Sequence, residues 1–223
     1  LYSAALEHGF TAASIINDAP IVLKDIALEE TWRPENEGGK FYGPTRLRWA
    51  LTKSRNIVSI RLLQKLGIGN LINYVENLGV KTRDFPRDLS LALGSQTMSP
   101  MQIAAAYAVL ANGGFYVTPY LIDRVENLSG EIVFQNTPAV ACDLCSTKNS
   151  NYQELSMEQI LLENTAKIEE KTFAPRVMDA RVNFIIDSIL RDVIKLGTGR
   201  RALVLKRDDI AGKTGTSNGP MDA

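Results

Sequence analysis

Ala211-Gly212-Lys213-Thr214-Gly215-Thr216-Ser217 packs a lysine and three hydroxyl side chains around two glycines, close to the end of a 223-residue chain. Glycine lets another backbone lie close, and lysine supplies positive potential. The run therefore suits a surface that holds an anion. A phosphate loop would need G-x-x-x-x-G-K-[ST], whose first glycine falls at position 207. Arginine stands there, and no strand-loop-helix pattern follows. Lys-Thr-Gly by itself is short enough to occur by chance on an ordinary surface strand.

The bulk composition narrows the field. The chain is 45% hydrophobic, 22% charged and formally neutral. Nucleic-acid binders usually show a basic excess or a basic stripe, so nucleic acid is not an expected partner. The longest apolar run, Ile103 to Ala111, has half the roughly 18 residues a membrane span needs. A chain of this length buries about 70% of its unfolded surface, enough for one substantial domain. The expectation is one partial domain over residues 1–223, opening partway through a helical pattern with no initiator Met.

A single histidine, His8, rules out metal centres built on several imidazoles, and no metal or cofactor is expected. His8 precedes Gly9 at the end of an amphipathic stretch, where a helix-end role beside the last carbonyls is expected. Cys142 and Cys145 form one C-x-x-C. A local disulfide in an oxidising compartment is the favoured reading, with an inert or metal-scavenging pair as the alternative.

Periodicity places the motifs. "SIINDAPIVL" carries β-branched residues and a turn at Asn17 to Pro20, and "TWRPENEGGKFYGP" reads as a long surface loop. Helical spacing runs from "TRLRWALTKSRN" through "VSIRLLQKLG" and "LINYVENLG", stopping at Gly67 and Gly79. Ser99-Pro100-Met101-Gln102 combines an N-cap, a first-turn proline and a capping box. The alanine-rich helix that follows is expected to be central and buried, ending at Asn112-Gly113-Gly114. Two strands should then flank a turn near Ser129-Gly130. Residues 137–172 lose apolar rhythm and are expected to form a solvated insertion, part helical around "MEQILLEN". A helix returns over "RVMDARVNFIIDSILRDVIKLG", and "DDIAGKTGTS" has the look of a strand.

A third chemistry for the opening motif is the Lys-Thr-Gly element of active-site-serine acyltransferases, which works with S-x-x-K and S-x-N. On an edge strand, Gly215 would admit a substrate backbone and the threonine hydroxyls could donate to a carboxylate. The chain holds one S-x-N, Ser54-Arg55-Asn56, between two helical stretches. Either Ser54 or Asn56 could equally serve as a helix cap. Their combination with Lys213-Thr214-Gly215, in that order, is much more specific than either tripeptide.

Longer blocks extend the pattern. "WRPEN", "YGPTRLRWALTKSRN", "LSLALGSQTMSPMQIAAAYAVLANGGF", "GTGRRA" and "GKTGTSNGPMDA" resemble, in order, the transpeptidase domain of bifunctional class A penicillin-binding proteins. The C-x-x-C segment is similar to members from Gram-negative bacteria. Arg55 matches the basic residue of those synthases, where class A β-lactamases usually carry Asp. The deacylating Glu-x-x-Leu-Asn of those lactamases is absent.

The resemblance implies an α/β fold: a mainly antiparallel sheet flanked by helices, incomplete in this chain. It implies acyl transfer from D-Ala-D-Ala stem peptides, derived from lipid II, through an acyl-serine, with β-lactam antibiotics as inhibitors. Ser54 would relay a proton to the leaving amine, Asn56 would hold the substrate amide, and Lys213 would set the field around Ser54. Thr214 and Thr216 would bind the substrate carboxylate, with Gly215 between them, and the Thr216 N–H would face the oxyanion. It further implies an upstream glycosyltransferase domain and membrane anchor, and a location on the periplasmic face of the inner membrane. No serine here has lysine three residues on. The nucleophile is therefore expected upstream of Leu1, with the chain cut inside the domain after Ala223, and these residues alone are expected to be inactive. A D,D-carboxypeptidase, a β-lactam-binding sensor or a non-catalytic binding module are the competing expectations.

Overall fold

In the computed structural model, residues 1–24, 31–142 and 172–215 are described. They fall in two compact units, Leu1–Met98 with Asp179–Ala223, and Ser99–Met178.

The first unit begins with α1 (Tyr2–Glu7), which closes on His8. The His8 Nδ1–H donates to the Ala4 carbonyl at 2.8 Å, the helix-end role its position suggested. β1 (Ile15–Asp18) then pairs antiparallel with β4 (Gly43–Arg46), Ile16 opposite Thr45 and Asp18 opposite Gly43. Period two sends Ile16 and Asp18 inward and leaves Ile15 and Asn17 outside. Between them a two-residue ribbon joins β2 (Leu23–Lys24) to β3 (Thr31–Trp32).

Three helices follow: α2 (Leu47–Thr52), α3 (Asn56–Leu66) and α4 (Ile68–Asn77). Gly67 ends α3 at φ 87°, a region glycine occupies without the Cβ clash other residues meet. α3 is the best-buried element, hiding Ile57, Val58, Ile60, Leu62, Leu63 and Leu66. Fully burying each such side chain is worth about 1.5–3 kcal/mol. Val58 and Leu62 join Ala5, Ile16, Leu47 and Ala50 in one core, so α3 is clamped between helix and strand. Later in the chain, Asp179 caps α6 (Ala180–Lys195) by accepting from the Arg181 N–H. α6 buries Val182, Ile186, Ile189, Leu190 and Val193 at steps of three and four. Arg48 of α2 reaches Asp192 at 2.7 Å and Ser188 at 2.9 Å, tying α2 to α6.

In the second unit, α5 (Pro100–Ala111) opens with the expected capping box: Ser99 accepts from the Gln102 N–H, and Gln102 accepts from the Ser99 N–H. β5 (Arg124–Glu126) and β6 (Ile132–Gln135) form the anticipated hairpin. Its turn is held by the Asn127 side-chain oxygen, which accepts from the N–H groups of Ser129 and Glu131. Gly114, at φ 97°, packs so tightly that an added Cβ would lie 2.5 Å from the Met178 carbonyl oxygen.

Several features differ from the expectations. α5 is not a buried centre: only Val109 is buried, while Met101, Ile103 and Tyr107 are exposed. Alanines all round a helix permit close packing but do not supply the neighbours. Among the described residues the strands pair as three two-stranded ribbons, all antiparallel as expected. Residues 208–215 form no strand, because no neighbouring strand among the described residues offers them a ladder. The Gly212 N–H instead donates to the Leu190 carbonyl of α6. Within residues 137–172, the stretch 143–171, including "MEQILLEN", lies outside the described residues. The segment's ends meet where Val140 and Phe173 form a parallel bridge.

Candidate active site

α2 and α3 are joined by Lys53, Ser54 and Arg55, too few residues to turn a chain without an unusual backbone. Ser54 provides it at φ 54°, one of two non-glycine residues with positive φ among those described. Such a conformation costs about 1 kcal/mol or more for a residue with a Cβ, and it lifts the Ser54 side chain out of the helix line. The turn is fixed by Ser54 N–H to the Leu51 carbonyl and Arg55 N–H to the Ala50 carbonyl. The Arg55 guanidinium lies 3.4 Å over the Tyr42 ring, a cation–π contact that holds the loop from outside.

Opposite this turn, residues 211–215 run past the end of α6. Lys213 Nζ donates to Ser54 Oγ at 2.8 Å and to the Thr214 carbonyl at 2.8 Å. Lys213 and Ser54 stand 159 residues apart in sequence. An ammonium can only donate, so it occupies a lone pair on Ser54 Oγ and leaves that hydroxyl's own proton available elsewhere. Asn56 Nδ2 donates to the Glu35 carbonyl at 2.8 Å. Because only nitrogen can donate to a carbonyl, this fixes the amide's orientation.

Ser54, Asn56, Lys213, Thr214 and Gly215 all line a single cleft of about 830 Å³. The chain segment of Trp32 to Glu37 forms another wall. Thr216 lies outside the described residues, as does Cys145. Cys142 sits two residues beyond the Val140 bridge and is half-buried.

Burial lowers the Lys213 pKa from its ordinary 10.5, partly offset by the attraction of Glu37. Between the lowered value and 10.5 the unfolded chain holds a proton that the folded one has released. Stability therefore rises with pH across that window, and below it the folded state bears the full cost of a buried ammonium. The positive charge of Lys213 is lost over the same range. The alkaline limb of any reaction needing that charge is expected to begin below the ordinary lysine range. Lys213→Arg should move it to higher pH, as read from rate–pH profiles of the two proteins. At the cleft's other side, burial pushes the Tyr2 phenol up to about 12, Ser59 opposing and Asp18 reinforcing the shift. Tyr2 thus stays protonated at neutral pH and serves as a fixed hydrogen-bond partner to Ser59 at 3.0 Å.

The structure brings together residues that sequence reading passed over. Thr198 Oγ1 is 2.5 Å from Thr214 Oγ1, so Thr198 fixes the hydroxyl of the lysine's neighbour. Gly197 and Gly199 bracket Thr198, and neither has room for a Cβ. Asn36, expected on a surface loop, is only 3% exposed.

A strained serine, a lysine from a distant segment and an oriented asparagine in one cleft match the S-x-N and Lys-Thr-Gly arrangement. The family model described as the penicillin-binding protein transpeptidase domain matches residues 1–220. The chain belongs to that family. Penicillin-binding protein 1A of Pseudomonas aeruginosa is 48% identical over the whole chain, which spans 29% of that relative. The crystal structure of penicillin-binding protein 1A from Haemophilus influenzae superposes with a TM-score of 0.82 at 34% identity. It covers 97% of this chain and 33% of that one. Penicillin-binding protein A from M. tuberculosis, solved as an imipenem acyl-enzyme, shares the fold with a TM-score of 0.62 at 18% identity. The match covers 87% of this chain and 41% of that one. The chain is thus part of a transpeptidase domain of the class A, penicillin-binding protein 1A type, the family that makes peptidoglycan. It spans about a third of the relatives' length.

Proposed function

We propose that the full-length protein is a peptidoglycan D,D-transpeptidase inhibited by β-lactams, and that the cleft over Ser54 is its reaction centre. The observation that carries this reading is the 2.8 Å contact between Lys213 Nζ and Ser54 Oγ, beside Asn56. A serine in the S-x-x-K pattern, which these 223 residues do not contain, attacks the penultimate D-Ala carbonyl. Its Oγ–C bond forms, the C–N bond breaks, and the terminal D-Ala leaves as an amine. Ser54, polarised by Lys213, passes a proton to that amine. Asn56 holds the substrate amide. Lys213, Thr214, Thr216 and the open backbone at Gly215 receive the terminal carboxylate. An amine from a second stem peptide then attacks the ester, forming the cross-link and returning the serine.

The decisive test is acceptor dependence. The full-length protein given a D-Ala-D-Ala stem peptide should release D-Ala and form cross-linked dimer in proportion to added acceptor amine. Release by water alone, indifferent to acceptor, would establish a carboxypeptidase instead. Residues 1–223 alone should show no covalent labelling by fluorescent penicillin, and labelling would refute the need for a serine outside them.

The proposal extends to the surroundings. A glycosyltransferase domain and a membrane anchor belong to the rest of the full-length protein. Among the described residues no helix is long and apolar enough to cross a membrane. We place the domain on the periplasmic face of the inner membrane, where a Cys142–Cys145 disulfide would persist. The expected result is that both cysteines resist alkylation in the unfolded, unreduced protein and react after reduction. Mass spectrometry reads this directly.

A further inference from the structure

Trp32-Arg33-Pro34-Glu35-Asn36 passes along the cleft wall, and its last residue is the best connected side chain near the site. Asn36 Nδ2 donates to both oxygens of Asp18, at 2.7 and 3.0 Å, and to the Lys40 carbonyl at 2.8 Å. Its Oδ1 accepts from the Ile57 N–H, in the first turn of α3, at 3.3 Å. Asp18 is fully buried. Strand alternation alone points it inward, where an apolar residue would have continued the Ile16 face. A buried carboxyl is costly unless hydrogen-bonded, and Asn36 supplies the donor. It joins β1, the 33–40 loop and the start of α3 at one point.

We infer that Asn36, locked by Asp18, is a positioning residue for Asn56. Asn36 has an extended backbone, and the Glu35 carbonyl one peptide before it accepts from Asn56 Nδ2. The same Asn36 side chain grips the N–H of Ile57, one residue after Asn56. The asparagine of S-x-N is therefore held from both sides by one buried amide: its side chain through Glu35, its backbone through Ile57. The inference rests on the transferase reading of the cleft. It adds that the W-R-P-E-N loop acts through Asn56 and need not touch substrate.

The test measures acylation of the full-length protein by fluorescent penicillin alongside Tm. Asn36→Ala should slow acylation by about tenfold to a hundredfold, since misplacing an oriented group by an ångström costs this much. Leu71→Ala, a core truncation in α4, should lower Tm and leave the acylation rate unchanged. Combining Asn36→Ala with Asn56→Ala should be no slower than Asn56→Ala alone, because both remove one function. Losses that multiply, or a wild-type rate in Asn36→Ala while Asn56→Ala is slow, would overturn the inference. Should Asn36→Ala fail to fold, Asp18→Asn keeps the volume and replaces one of the two acceptors with a donor. It too should slow acylation, and an unchanged rate in it counts equally against the inference. Wild-type protein that takes up no penicillin would remove the transferase reading itself.

Discussion

Lys213→Ala is expected to slow acylation of the full-length protein by penicillin about 10²- to 10³-fold, the usual effect of deleting a preorganised donor in a reaction centre. The substitution removes the ammonium 2.8 Å from Ser54 Oγ and with it one of the positive charges lining the cleft. Ser54 would keep its strained backbone, because its turn is fixed by main-chain hydrogen bonds to α2. Tm should therefore change little. The variant's folded state is also relieved of the cost of burying an ammonium. Lys213→Arg should fall between, since a planar guanidinium cannot place a single point charge where Nζ stands. Stopped-flow measurement of the acylation constant decides the matter, and a loss under about threefold, far below the range for such donors, would sink the assignment.

Gly197→Ala should have the largest effect on stability. An added Cβ would lie 2.2 Å from the Thr52 carbonyl oxygen and 2.8 Å from the Cα and carbonyl oxygen of Val193. All three are backbone atoms of packed helices, so no side chain can swing aside. Overpacking of this kind costs about 3 kcal/mol, the upper end of its usual range. For a domain of this size that corresponds to a drop of roughly 6–12 °C in the temperature at which penicillin labelling is lost. Thr52 is the last residue of α2, two before Ser54, so labelling at low temperature should also weaken. Gly69→Ala is the contrast. Gly69 sits in α4 with nothing within 4 Å of its virtual Cβ. There the change should stabilise by about 0.4–1 kcal/mol. Equal effects at the two positions would show that close approach is not what demands glycine at 197.

Local chemistry was legible where a residue's own preferences decide the outcome. The Ser99 cap, the Gly67 and Gly79 helix ends and the β5–β6 turn all follow from short-range rules. Ser54, Asn56 and Lys213 were legible for another reason: their order along the chain matches a known family. Their meeting in space is a long-range event that no window of sequence contains. Asn36 was missed because Pro, Gly and charged neighbours make its loop read as solvated. The partner that buries it, Asp18, sits on a different element. Thr198 was missed for a similar reason. Its partner, the Thr214 hydroxyl, stands 16 residues on, and the want of space at the two glycines beside it is visible only when Thr52 and Val193 are in place. Of the strand expected over 208–217, the described residues 208–215 form none, because extended propensity needs a pairing partner.

The separation of Ser54 from Lys213 also fixes a timetable. At roughly 5–20 residues per second, the ribosome would release Lys213 some 8–30 s after Ser54. The first unit is made of two chain segments, with all of Ser99–Met178 synthesised between them. Asp18, Asn36 and the residues of the serine turn therefore all leave the ribosome before any of Ser99–Met178, and Lys213 leaves it after. Lys213 joins the cleft only after the whole of Ser99–Met178 has been made.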